Sequence, residues 1–186
     1  MKPDVFLDMD GVLSDFVSAS IDFYNLGIKR EDVIHWDTLH EVYSAKTGRT
    51  KSDFWEDLNV KFWSEMPKTR ECDKILALVS EYSPIILTAP PMSEKAIGDC
   101  VTGKLMWIKK FIPEYFYSAR FMIGARKDRC AHKGAVLIDD NNENCWGWND
   151  KGGSAVLVPR PWNQLAGDNT LLSVQTQFRN ILQEED

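Results

Sequence analysis

Short apolar runs alternate with amphipathic helical stretches along the chain, and three of these runs stop at polar residues suited to one chemistry. Asp4-Val5-Phe6-Leu7 ends at Asp8-Met9-Asp10-Gly11, Pro84-Ile85-Ile86-Leu87 ends at Thr88, and Ala135-Val136-Leu137-Ile138 ends at Asp139-Asp140. Brief apolar runs bounded by turn formers read as buried strands. Further strands are expected at Arg120–Ile123 and Ser154–Val158. Helices are expected from a Ser14 or Asp15 cap to Gly27, over Asp73–Tyr82, from Ser93 to the Pro113 boundary, around Glu143–Trp148, and over Leu171–Leu182. Strands alternating with helices predict an α/β fold, a Rossmann-like parallel sheet with helices on both faces.

The rhythm breaks between Ile28 and about Arg70. That stretch has no long apolar strand and carries Trp36, Phe54, Trp55, Phe62 and Trp63. It reads as a small, mostly helical cap covering residues 16–70, set into a core domain of residues 1–15 and 71–186. Most of its aromatics are expected to pack a small core of the insert's own.

A chain of 186 residues suits one domain carrying a small insert. With 28 acidic against 22 basic residues the net charge is −6, which argues against broad nucleic-acid binding. No apolar run is long enough for a membrane span, and the N-terminus lacks a signal-peptide layout. Cys72, Cys100, Cys130 and Cys145 form no C-x-x-C pair, so reduced thiols in a cytoplasmic protein are expected. His35, His40 and His132 are scattered and read as structural or merely exposed.

In an open parallel sheet, ligands bind beyond the carboxyl ends of the strands. The fold would therefore gather four carboxylates and a hydroxyl at one edge. Crowded carboxylates repel one another, and a hard divalent cation relieves the repulsion. Oxygen-only ligands favour Mg2+. Asp8 would be a nucleophile toward phosphorus. Asp10 would protonate the leaving oxygen and then activate water. Gly11 lets the backbone turn close to the ligand, and Thr88 would bind phosphoryl oxygens. A lysine is still needed, and Lys127 and Lys133 both precede the Asp139 strand. A calcium loop opening at Asp8 fails, because Val12 and Leu13 stand where an oxygen ligand and a glycine belong. Shifting it to use Gly11 makes Phe6 the first ligand, which fails too.

The order of these motifs resembles the haloacid-dehalogenase-like superfamily of phosphohydrolases. Asp8-Met9-Asp10-Gly11-Val12-Leu13 is similar to its first motif, Thr88 to its second and Asp139-Asp140 to its fourth. Asp8 to Phe16, Ile86 to Pro91, Lys127 to Asp140 and Val158-Pro159-Arg160-Pro161-Trp162-Asn163 resemble the 5′(3′)-deoxyribonucleotidase group and its phage and bacterial relatives. The resemblance implies an aspartyl-phosphate on Asp8, with Asp10 as general acid/base. It implies magnesium held by the Asp8 carboxylate, the Asp10 carbonyl and Asp139, with Asp140 assisting from behind or through water. Thr88 and Lys127 would bind phosphate, with Lys133 in reserve. Phe16 would lie against the base, and Phe62 and Trp63 are the cap aromatics that would stack on it. Lys68 or Arg70 would meet a second anionic group.

The expected substrate is a small phosphate ester, a nucleoside monophosphate and in particular a deoxyribonucleotide, with a homodimer left open. Other small phosphomonoesters, a nucleic-acid 3′-phosphate end, or an inactive nucleotide-binding protein on the same fold are the competing readings. Dehalogenation is disfavoured, since it has no use for an acid at Asp10.

Overall fold

The computed structural model describes residues 2–184; the domain ends expected at residue 1 and at residues 185–186 lie outside them. Strands β1 (Asp4–Leu7), β2 (Ile85–Thr88), β3 (Phe121–Ile123), β4 (Ala135–Asp139) and β5 (Ser154–Leu157) form one sheet. Their order is β3-β2-β1-β4-β5, and every pairing is parallel. The chain builds outward from β1 to β3 and then crosses back to place β4 on the other side of β1. The strand order thus reverses between β1 and β4, where diverging connections open a crevice. Leu7 pairs with Ile138. Asp8, one residue past β1, therefore falls beside Asp139, the last residue of β4.

Nine helices are described: α1 (Phe16–Phe23), α2 (Thr38–Thr47), α3 (Lys51–Asp57), α4 (Val60–Glu65), α5 (Cys72–Val79), α6 (Ala96–Phe111), α7 (Pro113–Tyr117), α8 (Asn142–Asp150) and α9 (Thr170–Glu184). Asp15 caps α1 by accepting the Ser18 N–H at 3.2 Å. The helix stops short of the expected Gly27, because Asn25 and Gly27 turn the chain with φ of 49° and 74°. The sheet buries both faces, as strand periodicity requires. Val5, Leu7, Ile86, Val136 and Ile138 enter the larger core, while Phe6, Leu87 and Leu137 pack around Trp148 of α8.

The insert does not have a core of its own, contrary to expectation. Leu39, Tyr43, Phe54 and Trp63 belong to the same buried cluster as Val5, Leu7, Ile86 and Ile138. Helices of six to ten residues are too short to bury an aromatic face by themselves. They dock on the main body instead, with α4 laid on α6 at Gly103. A Cβ at Gly103 would overlap the Trp63 Cβ and lie 2.8 Å from the Val60 carbonyl oxygen. Trp107 Nε1 donates to the Met66 carbonyl at 2.7 Å and closes the end of this contact.

Gly103→Ala is expected to lower the unfolding free energy by about 1–3 kcal/mol through overpacking, outweighing the better helix propensity of alanine. Urea denaturation measures this; an unchanged or raised midpoint would show that α4 and α6 are not held this close.

Candidate active site

Strand β1 carries Asp8 into the crevice, where it is buried. Its Oδ1 accepts the Met9 N–H at 2.7 Å and lies 2.7 Å from Lys127 Nζ. Lys127 comes from a 3-10 turn, Lys127–Cys130, and also donates to Asp139 Oδ2 at 2.7 Å. The Asn141 N–H donates to Asp139 Oδ1 at 2.8 Å, and the Asn144 amide reaches both oxygens. Asp140 Oδ2 accepts Trp162 Nε1 at 2.6 Å. One carboxylate oxygen from each of Asp8, Asp139 and Asp140 lies within 4.8 Å of the others.

Burial pushes the Asp8 carboxyl up to about 7; Lys127 opposes the rise, and Asp139 and Asp10 add to it. Burial, then Asp139 and Asp8, hold Asp140 well above the usual carboxylate range. Burial works against the Lys127 ammonium, but Asp139 and Asp8 outweigh it and raise its pKa. One ammonium does not neutralise three carboxylates. The donor set is all oxygen and rigidly placed, which fits a hard divalent cation.

Gly11 makes this convergence sterically feasible. Its φ is +79°, and a Cβ there would overlap the Asp140 carboxylate. Asp10, the residue before this turn, accepts at Oδ1 from Ser14 Oγ at 3.0 Å and at Oδ2 from Lys104 Nζ at 2.6 Å.

Lys104, on α6, is fully buried. It also donates to Thr88 Oγ1 at 2.7 Å and to the Ala89 carbonyl at 2.8 Å, and its ammonium lies 5.3 Å from the Trp63 ring centroid. Sequence reasoning missed this residue. The available signal was its place on the helix face shared by Cys100, Trp107 and Ile108, an ammonium set in an apolar stripe.

A cavity of about 210 Å³ opens above these groups. Asp8, Asp10, Lys127, Asp140, Asn141 and Asn144 give it polar walls. Phe16, Trp36, Trp55 and Trp63 give it aromatic ones. The Phe16 ring stacks with those of Trp36, Trp55 and Trp63 at centroid distances of 6.1, 5.6 and 5.5 Å.

The remaining expected positions fall differently. Thr88 is fully buried and does not line this cavity; its hydroxyl reaches the site through Lys104. Phe62 lies outside the cavity, against a surface groove with Phe23 and Met66. Consecutive helical residues point about 100° apart, so when Trp63 faces the site Phe62 cannot. Lys133 is exposed in the turn before β4. Lys68 pairs with Asp73 at 2.6 Å, and Arg70 lines a separate cavity. Trp36 and Trp55 were expected to be insert packing, yet both face the cavity.

Fold and site together define a phosphohydrolase of the haloacid-dehalogenase-like class, a phosphoric monoester hydrolase. The sequence profile described as 5′ nucleotidase, deoxy (Pyrimidine), cytosolic type C protein matches residues 2–172, and the chain belongs to that family. No curated protein sequence matches the chain.

Solved structures share the fold at low identity. A haloacid-dehalogenase family hydrolase from Deinococcus radiodurans R1, solved with bound phosphate and sodium, aligns with a TM-score of 0.56 and 13% identity over 99% of this chain and 97% of that one. L-2-haloacid dehalogenase from Xanthobacter autotrophicus aligns with a TM-score of 0.51 and 12% identity over 96% of this chain and 88% of that one. A phosphonoacetaldehyde hydrolase like protein from Oleispira antarctica aligns with a TM-score of 0.51 and 10% identity over 98% of this chain and 86% of that one. At such identities these likenesses speak for the fold alone.

A carboxyl group with a raised pKa in the folded state stabilises the fold at low pH and loses that contribution as pH rises through about 7. Asp8→Asn removes the buried charge. In chelator at pH 8 it is expected to raise the Tm by about 5 °C or more, with the gain shrinking toward pH 5. A Tm difference that does not change with pH would contradict this account of Asp8.

Proposed function

We propose that the protein is a magnesium-dependent phosphatase of nucleoside monophosphates, deoxyribonucleotides in particular, acting through an aspartyl-phosphate on Asp8. One observation carries the reading: a single cavity joins a buried carboxylate cluster to a wall of stacked aromatic rings. The polar end suits a phosphate and its cation, and the flat apolar end suits a base. Residues 16–70 act as the cap that supplies the rings.

The carboxylates of Asp8 and Asp139 and the Asp10 carbonyl would hold magnesium, with Asp140 supporting them. When bound, it supplies charge neutralisation to a phosphoryl oxygen. The Asp8 carboxylate attacks phosphorus, and the bond from phosphorus to the sugar oxygen breaks. Asp10 gives its proton to that leaving oxygen. It then takes a proton from a water, which attacks the aspartyl-phosphate, releases phosphate and frees Asp8. Lys127 steadies the nucleophile and offers its charge to the phosphoryl group. Lys104 fixes the direction of the Asp10 carboxylate. Thr88, buried behind the cavity wall, accepts from Lys104 and so holds that ammonium in place beside Asp10. Packed rings over the site exclude water from competing reactions. The four cysteines are free thiols, the state a reducing cytoplasm maintains.

Phosphate release from a panel of esters tests the reading. Deoxyribonucleoside monophosphates should be hydrolysed with magnesium and spared in chelator, and Asp8→Asn should be inactive. Trp55→Ala should raise KM for nucleotides about tenfold, since stacking a base on an aromatic ring is worth about 1–3 kcal/mol. It should leave a baseless ester such as ribose 5-phosphate nearly unaffected. Faster release from baseless esters than from nucleotides would favour the general phosphomonoesterase reading instead. Lys104→Met should lower kcat about 100-fold with little change in KM, in the range that positioned acid–base groups contribute; an unchanged kcat removes Lys104 from the mechanism.

A further inference from the structure

The segment Val158-Pro159-Arg160-Pro161-Trp162-Asn163 follows β5 and has no part in the steps above. Arg160, Trp162 and Asn163 are nevertheless buried. Their polar groups hold the two loops that carry the acids. Arg160 Nε donates to the Gly11 carbonyl at 2.7 Å. Asn163 Nδ2 donates to the carbonyls of Asp140 and Val158 at 2.9 and 2.8 Å. Trp162 Nε1 donates to Asp140 Oδ2 at 2.6 Å.

Trp162 also meets the cap. The Arg30 guanidinium lies 5.1 Å from its ring centroid, and Trp36 meets it edge-on at 6.1 Å. Trp36 in turn lines the cavity beside Asp8. We infer that Trp162 is a positioning residue that couples the docked cap to the orientation of Asp140, and so to the strength of the cation site. The inference rests on the cation reading of the acidic cluster proposed above.

An indole has a single N–H, and that bond reaches a carboxylate only while the ring keeps its plane. Arg30 over the ring face and Trp36 packed against Trp162 at 6.1 Å set that plane from the cap side. Asp140 needs such a donor, because Asp8 and Asp139 repel its carboxylate. On the Gly11 side no side chain is there to hold it. Filling the cavity against Trp36 and loading the cation site should then assist one another, since such coupling is reciprocal.

Binding of Mn2+ alone to the full-length protein, by calorimetry or electron paramagnetic resonance, tests this without turnover. Trp162→Phe keeps an aromatic ring, though a smaller one, and loses the indole N–H. It should weaken Mn2+ about tenfold, the low end of what groups behind metal ligands contribute. Arg30→Ala should weaken it about threefold in the unaltered background and not at all in Trp162→Phe. In metal-free protein, Arg30→Ala should also shift the Trp162 indole N–H proton resonance upfield. Unchanged affinity in Trp162→Phe, or an Arg30→Ala effect equal in both backgrounds, overturns the proposal. If Trp162→Phe fails to fold, Arg30→Ala alone decides: an unmoved resonance with unchanged affinity sinks the coupling. If the unaltered protein binds no Mn2+, it is the cation reading that fails, and the indole resonance alone judges the positioning role.

Discussion

Among the described residues, three buried carboxylates whose oxygens lie within 4.8 Å of one another share one buried ammonium, Lys127, which pairs with Asp8 and Asp139. Two like charges at that distance repel by about 3 kcal/mol at an effective dielectric of 20. That is a sizeable share of the 5–15 kcal/mol by which a typical domain is stable. The arrangement persists because the rest of the fold enforces it. Asp8 and Asp139 leave neighbouring central strands, and those strands are buried on both faces. The same crowding is what the proposed cation would relieve.

The two buried lysines divide the site between them. Lys127 pairs with Asp8 and with the last acid of β4, while Lys104 pairs with Asp10 and Thr88. Asp8 and Asp10 thereby sit in different environments, a difference that the distinct roles proposed for them call for. Trp63 links this division to the helical insert, lying against Lys104 and lining the cavity. Because the insert and the sheet share one hydrophobic cluster, the aromatic wall is fixed by the packing that fixes the strands.

Much of this was legible because strand tips are written locally. An apolar run followed by Asp8-Met9-Asp10-Gly11 or by Asp139-Asp140 states both the strand and what it delivers, and parallel topology does the gathering. Positions whose role depends on a partner distant in the chain were harder to read. Lys104 lies 94 residues from Asp10, and nothing near it in sequence names its partners. Trp36, in the turn before α2, and Trp55, on α3, look like any insert aromatic until the insert docks and turns them inward. Phe62 and Trp63 are adjacent, and only the docking of α4 on Gly103 decides which of them sees the cavity. The Arg160–Asn163 segment was recognisable as a pattern, yet its work on Gly11 and Asp140 is a matter of tertiary contact alone.

The central claim is that Asp8 accepts a phosphoryl group beside a cation held partly by Asp139. A crystal structure of the protein with magnesium and beryllium fluoride tests it most directly. The account predicts a beryllium fluoride group bonded to an Asp8 carboxylate oxygen, with the cation touching both Asp8 and Asp139. A fluoride group bonded to another side chain, or a cation seated away from Asp139, would contradict it.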